Sequence, residues 1–187
     1  MKYVLFICLF LSQTAMAQSY FGTGLGYTRY TFVRGDNRSE DAFGPTFGLK
    51  WGHRFDNIGV EPFLNYTKVK SSNIVINSEK YLHHSKIYSL GFKVYYQIEY
   101  LQLHLGYAFH HFNSYVTSSS SGAEITNADI MNLAGAKGSQ YYYGPIFGMA
   151  LEMQNTSIAP YVSFTSHQLN SPNASLFEAE MGLKFRY

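Results

Sequence analysis

Cysteine is almost absent: Cys8 is the one cysteine among 187 residues. It lies in the apolar run 4–11 of the opening MKYVLFICLFLSQTAMA, between Lys2 and the small-residue pattern Ala15-Met16-Ala17. A basic start, a short apolar run and a small-residue cleavage site are the parts of a secretory signal peptide. The run falls well short of the roughly 20 residues of a helical span. Residues 1–17 are therefore expected to be removed, leaving 187 − 17 = 170 residues (18–187), the size of one domain. The remainder then has no cysteine, which excludes disulfides and thiol chemistry in a compartment that would permit them. Lipidation of Cys8 would call for small residues where Leu5-Phe6-Ile7 stand.

A charge excess is also lacking. Lys plus Arg number 14 against 12 Asp plus Glu, without a basic run, so nucleic acid is an unsuited partner. After the leader no stretch approaches 18 consecutive apolar residues, which excludes helical spans. Abundance lies elsewhere, in 17 Tyr, 15 Phe and 16 Gly. What remains is an all-β chain.

Eight segments alternate apolar and polar or small residues over the ten or so positions that a tilted strand needs to cross a bilayer. They start at 19–33 and 42–55, continue through 59–69, 88–97, 101–109, 140–153 and 158–165, and end at 175–187. Tight turns at Asp56-Asn57, around Ile98-Glu99 and at Asn155-Thr156 alternate with longer links. The links are RGDNRSED, a stretch around SSNIVINSEKYLHH, residues 114–138 and QLNSPNA. Such segregation of loop lengths marks a transmembrane barrel, with short turns on one side and long loops on the other. Hydrocarbon offers no partner for backbone N–H and C=O groups, so the sheet must close. The fold expected is an eight-stranded antiparallel up-and-down transmembrane β-barrel, with its last strand paired to its first.

The leader, the glycine-rich opening strand GTGLGYTRY, the alternating loop lengths and the aromatic terminal strand ending Phe185-Arg186-Tyr187 together resemble the small eight-stranded outer-membrane barrels of the OmpX/OmpA type. The resemblance is architectural and covers residues 18–187. It implies a monomer in the cell outer membrane, surrounded by its lipids, with Phe185 and Tyr187 as a signal to the outer-membrane assembly machinery. It also implies that the 114–138 loop could meet an extracellular ligand or receptor, because function concentrates in loops held by a rigid scaffold.

Parity places Lys50, Arg54, Glu61, Lys93, Glu152, Glu178, Glu180, Lys184 and Arg186 on the lumen face, five cations and four anions. A mixed lining is the mark of paired charges filling the interior, since a buried charge is costly alone. A narrow solute pore is the alternative. Phe63 also falls inward, which implies a bulge or a shifted register in the third strand, and Pro45, Pro62, Pro145 and Pro160 are expected near strand ends. His83 and His84, with His110 and His111, are expected to approach one another at the outer rim, where imidazoles bind metals or serve as polar rim residues. No cofactor motif is present: Gly22, Gly24 and Gly26 lack dinucleotide-loop spacing.

Two rivals remain. Lipid A deacylase barrels carry a His and a Ser two residues apart near the outer end of the seventh strand, whereas His167 is followed by Leu169 at that spacing. A serine nucleophile must reach its base, so no catalytic residue is assigned. A secreted lipocalin-like barrel would reverse the faces, with aromatics inside and charges outside.

Overall fold

The computed structural model describes residues 17–153, 156–172 and 174–187; the expected signal peptide, apart from Ala17, and Asn155 of the third tight turn lie outside them. Its strands are β1 (Ala17–Val33), β2 (Ser39–Phe55), β3 (Ile58–Ser71), β4 (Ile74–Ile76), β5 (Glu79–Ile98), β6 (Leu101–Ser118), β7 (Glu124–Ile125), β8 (Gly138–Glu152), β9 (Ile158–Gln168) and β10 (Ser175–Arg186). One short helix, α1 (Ala128–Leu133), stands between β7 and β8. Eight long strands form a closed antiparallel ring, in which β10 pairs with β1 from Tyr20↔Arg186 to Thr31↔Ser175. The two short strands are additions at the outer end, β4 beside β5 and β7 beside β6.

At the opposite end two of the connections are two-residue turns, Asp56-Asn57 and Glu99-Tyr100, between Phe55↔Ile58 and Ile98↔Leu101. Asp56 and Glu99 take positive φ there, +54° and +50°, as tight hairpins of right-twisted strands require. The outer links are shorter than expected. Val33 pairs with Ser39, so the last three residues of RGDNRSED belong to β2 and five remain as the link, and β6 runs nine residues past Phe109.

The reason lies in what surrounds each level of the wall. On β5 the outward residues Tyr88, Leu90, Phe92, Val94, Tyr96 and Ile98 are apolar and exposed. Ten steps of about 3.3 Å along a strand tilted near 40° give about 25 Å, the height of a bilayer's apolar core. Above Tyr88 the outward positions become Lys86 and His84, and on β6 Asn113 and Thr117, while Ile87, Tyr81, Phe112 and Val116 turn inward and are buried. The alternation continues with inverted polarity. A search for apolar-out segments therefore stops at the membrane boundary although the strand does not.

Phe63 points inward without a bulge or a slip. β3 pairs with β5 in one unbroken register from Ile58↔Tyr96 to Lys70↔His84. Its ring is 1% exposed and rests over Gly91, where an added Cβ would come within 2.7 Å of it. The prolines do not keep to strand ends either, Pro45 and Pro145 being mid-strand. Each retains pairing on one side (Tyr27↔Pro45, Pro62↔Phe92, Tyr107↔Pro145, Pro160↔Leu183); on the other, Pro45, Pro62 and Pro145 leave a gap, while the Pro160 carbonyl still accepts from Met153 N–H at 3.1 Å. The gaps fall in two seams. β2–β3 has breaks beside Pro45 and Pro62, and β8–β9 pairs only from Ile146↔His167 to Glu152↔Tyr161. Above that seam Asn170 continues the register: its N–H donates to the Tyr143 carbonyl at 2.8 Å and its Oδ1 accepts from Tyr143 N–H.

Candidate functional site

The lumen is built in two chemically opposite halves. In the membrane-level half, Lys184 on β10 reaches Glu61 of β3 at 2.9 Å and Glu152 of β8 at 2.7 Å. Arg186 meets the other oxygen of Glu152, Lys93 lies 3.9 Å from Glu61, and Lys50 of β2 pairs with Glu180 at 2.6 Å. Tyrosines fill the gaps. Tyr20 donates to Glu61 at 2.5 Å, Tyr161 donates to Glu180, and the Lys184 ammonium lies over the rings of Tyr20, Tyr95 and Tyr161. Parity alone could have placed these three tyrosines inside.

Two of the nine expected charges stand apart from the ion pairs. Arg54 donates to the amide oxygens of Gln97 and Gln18, both at 3.2 Å, and Glu178 accepts both of its hydrogen bonds from Asn65 at 2.9 Å. The cluster proper has four cations and three carboxylates.

Glycines of the first two strands make room for it. At Gly24 a Cβ would overlap both the Glu180 carboxylate and the Tyr161 hydroxyl. Those groups are held by Lys50 and cannot swing away cheaply. Gly24→Val is expected to destabilise the barrel by about 3 kcal/mol, the upper end of ordinary overpacking. The midpoint of urea unfolding in detergent measures it, and an unchanged midpoint would show that the pair yields.

The histidines do not gather at the rim. His84 pairs with Tyr115, and His111 with Tyr88, four residues farther along β5, because β6 continues to Ser118 instead of ending near them. His83 and His110 point inward and are buried, while His84 and His111 point outward. His110 instead meets His167 across the lumen, with ring centroids 5.1 Å apart, and its Nδ1 lies 2.8 Å from Ser89 Oγ. His104 lies 3.1 Å from Thr165 Oγ1. Among the described residues no group of three or more His, Cys, Asp or Glu is arranged to hold a metal ion. Leu169, which occupies the position where a deacylase needs its serine, is buried in the upper half.

That upper half is an apolar core. Tyr30, Phe32, Val69, Ile74, Ile87, Phe112, Val116 and Leu176 line it, and α1 with the turn behind it closes the mouth. Ile130, Met131 and Leu133 pack onto the core, and Ala134 and Ala136 are buried in it. Six residues cannot hold a helix alone. Asn127 Oδ1 accepts from Asp129 and Ile130 N–H at the start, and Ala136 N–H donates to Met131 O at the end. Gly135, at φ +75°, makes the turn and lies against the Phe32 ring. Two side chains clamp the segment from the wall: Arg34 Nε donates to Leu133 O at 3.3 Å, and His83 Nδ1 lies 3.1 Å from Ala134 O. The loop expected to face outward thus turns its apolar side into the barrel.

No family model matches the chain, and no curated protein does. Among solved structures, Ail, the attachment invasion locus protein of Yersinia pestis, is similar with a TM-score of 0.51 at 14% identity, over 90% of this chain and 99% of Ail. Ail in complex with the heparin analogue sucrose octasulfate gives 0.50 at 14% identity over the same shares. Neisserial surface protein A gives 0.50 at 12% identity, over 90% of this chain and 97% of that one. The fold is that of a small outer-membrane β-barrel. The barrel's charged lower lumen and apolar upper lumen are features of this chain's own residues.

Proposed function

We propose that the chain spans the outer membrane as a closed monomeric barrel and acts at the cell surface through its outer end. The observation that carries this reading is the filled axis: an ion-pair cluster at membrane level and an apolar plug above it occupy the space a conduit would need. Above the apolar band, β5 and β6 continue as a paired sheet to Tyr81↔Ser118, flanked by β4 and β7. A rigid sheet standing in water is a surface for contact, and the serine-rich turn between β6 and β7 is its tip. Ail was solved with a heparin analogue, so sucrose octasulfate is a reasonable first probe of that surface. In this reading residues 1–17 direct export. Phe185 and Tyr187, both outward, present the assembly signal, and Tyr187 N–H is tied to Ser19 O at 3.0 Å.

The test has two parts. Planar bilayers containing the folded barrel are expected to show no conductance steps, and cells carrying a variant with 119–126 shortened to a two-residue turn are expected to lose adhesion or serum survival while keeping the barrel in the membrane. Steady single-channel openings would support a pore instead. Unchanged surface phenotypes in the shortened variant would remove the contact role.

A further inference from the structure

The outer wall carries an unneutralised cationic cluster above an apolar groove, and we infer that this is a binding site for a phosphorylated, multi-acyl lipid of the outer leaflet. On β3 and β5, Lys68 stands directly opposite Lys86, and Lys70 opposite His84. All four point outward. Like charges paired directly across two strands are destabilising, and among the described residues no carboxylate forms an ion pair with any of the three lysines. The same level on β1–β2 is built differently, since Arg29 there is neutralised by Asp41 at 2.8 Å. A wall that balances its rim charge on one side and leaves three lysines without a carboxylate on another, Lys86 standing over the Tyr115 ring at 6.0 Å, has left room for an anion from outside.

What lies beneath decides the anion's chemistry. Two residues toward the membrane from Lys68 and Lys86, Tyr66 and Tyr88 pack at 5.1 Å between centroids, and Tyr88 stacks on His111 at 6.1 Å. With Leu64, Leu90 and Phe109 below, these rings line an open groove of about 490 Å³ on the outer wall. The groove faces hydrocarbon and suits acyl chains, whereas the lysines stand where headgroups begin. Lysine is a point-charge partner for phosphate, and three of them suit a headgroup carrying more than one phosphate. The site requires a barrel seated in a membrane, and in that respect it rests on the function proposed above.

The probe is a bisphosphorylated, hexa-acylated disaccharide lipid, compared with its dephosphorylated form, in phosphatidylcholine nanodiscs holding the folded barrel. Native mass spectrometry reads the lipid retained. The wild-type chain is expected to keep the phosphorylated lipid and not the dephosphorylated one. Each Lys→Gln change at Lys68, Lys70 and Lys86 is expected to lower retention about fivefold, on the order of a hundredfold for all three. Arg29→Gln should leave it unchanged. Equal retention of both lipids, undiminished retention by the triple variant, or displacement by millimolar inorganic phosphate would each overturn the proposal. The lipid comparison on the wild-type chain needs no variant. Heat-modifiable migration reports insertion separately, so a barrel that inserts and retains no lipid defeats this site and leaves the membrane assignment standing.

Discussion

Lys184→Met is expected to lower the stability of the folded barrel by about 3 kcal/mol, the cost of breaking a buried ion pair by removing one partner. Lys184 is 2% exposed and, within the lumen cluster described above, is the cation that bridges two carboxylates, Glu61 and Glu152. Without it Glu152 keeps Arg186, while Glu61 keeps only the distant Lys93 and the Tyr20 hydroxyl. Adding Glu152→Gln should restore part of the loss, because Arg186 also donates to the carbonyls of Met153 and Thr156 and is not stranded. A coupling of about 1–3 kcal/mol between the two sites is expected. Glu178→Gln, whose hydrogen-bond partner is the neutral Asn65, should cost less than about 1.5 kcal/mol. Urea unfolding in detergent, followed by the fluorescence of the single tryptophan, Trp51, measures the wild type, Lys184→Met, Glu152→Gln, their double variant and Glu178→Gln. Equal losses for Lys184→Met and Glu178→Gln would mean that the lumen does not distinguish paired charges from hydrogen-bonded ones.

Much of the barrel could be read from the sequence at membrane level, where the outside is hydrocarbon and the inside mostly polar, so one parity rule sorts most side chains, with Phe63 and Ile146 as inward apolar exceptions. Lys50, Glu61, Lys93 and Glu180 fall inward for that reason alone. Above the bilayer the same rule inverts. Outward Lys86, Asn113 and Thr117 meet water, and inward Ile87, Phe112 and Val116 bury against one another. That half obeys the face assignment of a soluble barrel, the rival considered from sequence, stacked on a membrane barrel in one set of strands. Period-two alternation carries no sign, so the sequence could not show where the reversal falls. Partner choice was equally hidden. His110 and His167 lie 57 residues apart and meet only because β8, which separates β6 from β9 in the ring, is spanned through the lumen. Arg54 and Glu178 have the right parity for ion pairs, yet the neighbours supplied by the register are amides.

The inverted upper half makes the plug the part of the molecule most sensitive to a single charge. Ala134→Glu is expected to drive the 127–137 segment out of the mouth while the ring of strands stays folded. Ala134 is fully buried beside His83, and a carboxylate there would enter an apolar core, while Arg34, which reaches the neighbouring Leu133 carbonyl, is already paired with Asp36 and Glu40. Several kcal/mol of desolvation cost must be relieved. The strands are fixed by long ladders on both sides. α1, by contrast, has six residues, two clamping contacts and its apolar packing, so the segment is the element that yields. Chymotrypsin cleavage after Leu133 should accelerate on the order of a hundredfold, corresponding to about 3 kcal/mol of lost docking. Heat-modifiable migration of the barrel should persist. Ala134→Ser, which introduces no charge, should cleave much more slowly than Ala134→Glu. If Ala134→Glu instead abolished the folded barrel, the plug would be part of the cooperative fold rather than a lid resting on it. Cleavage at the wild-type rate would mean that the segment never depended on the core beneath it.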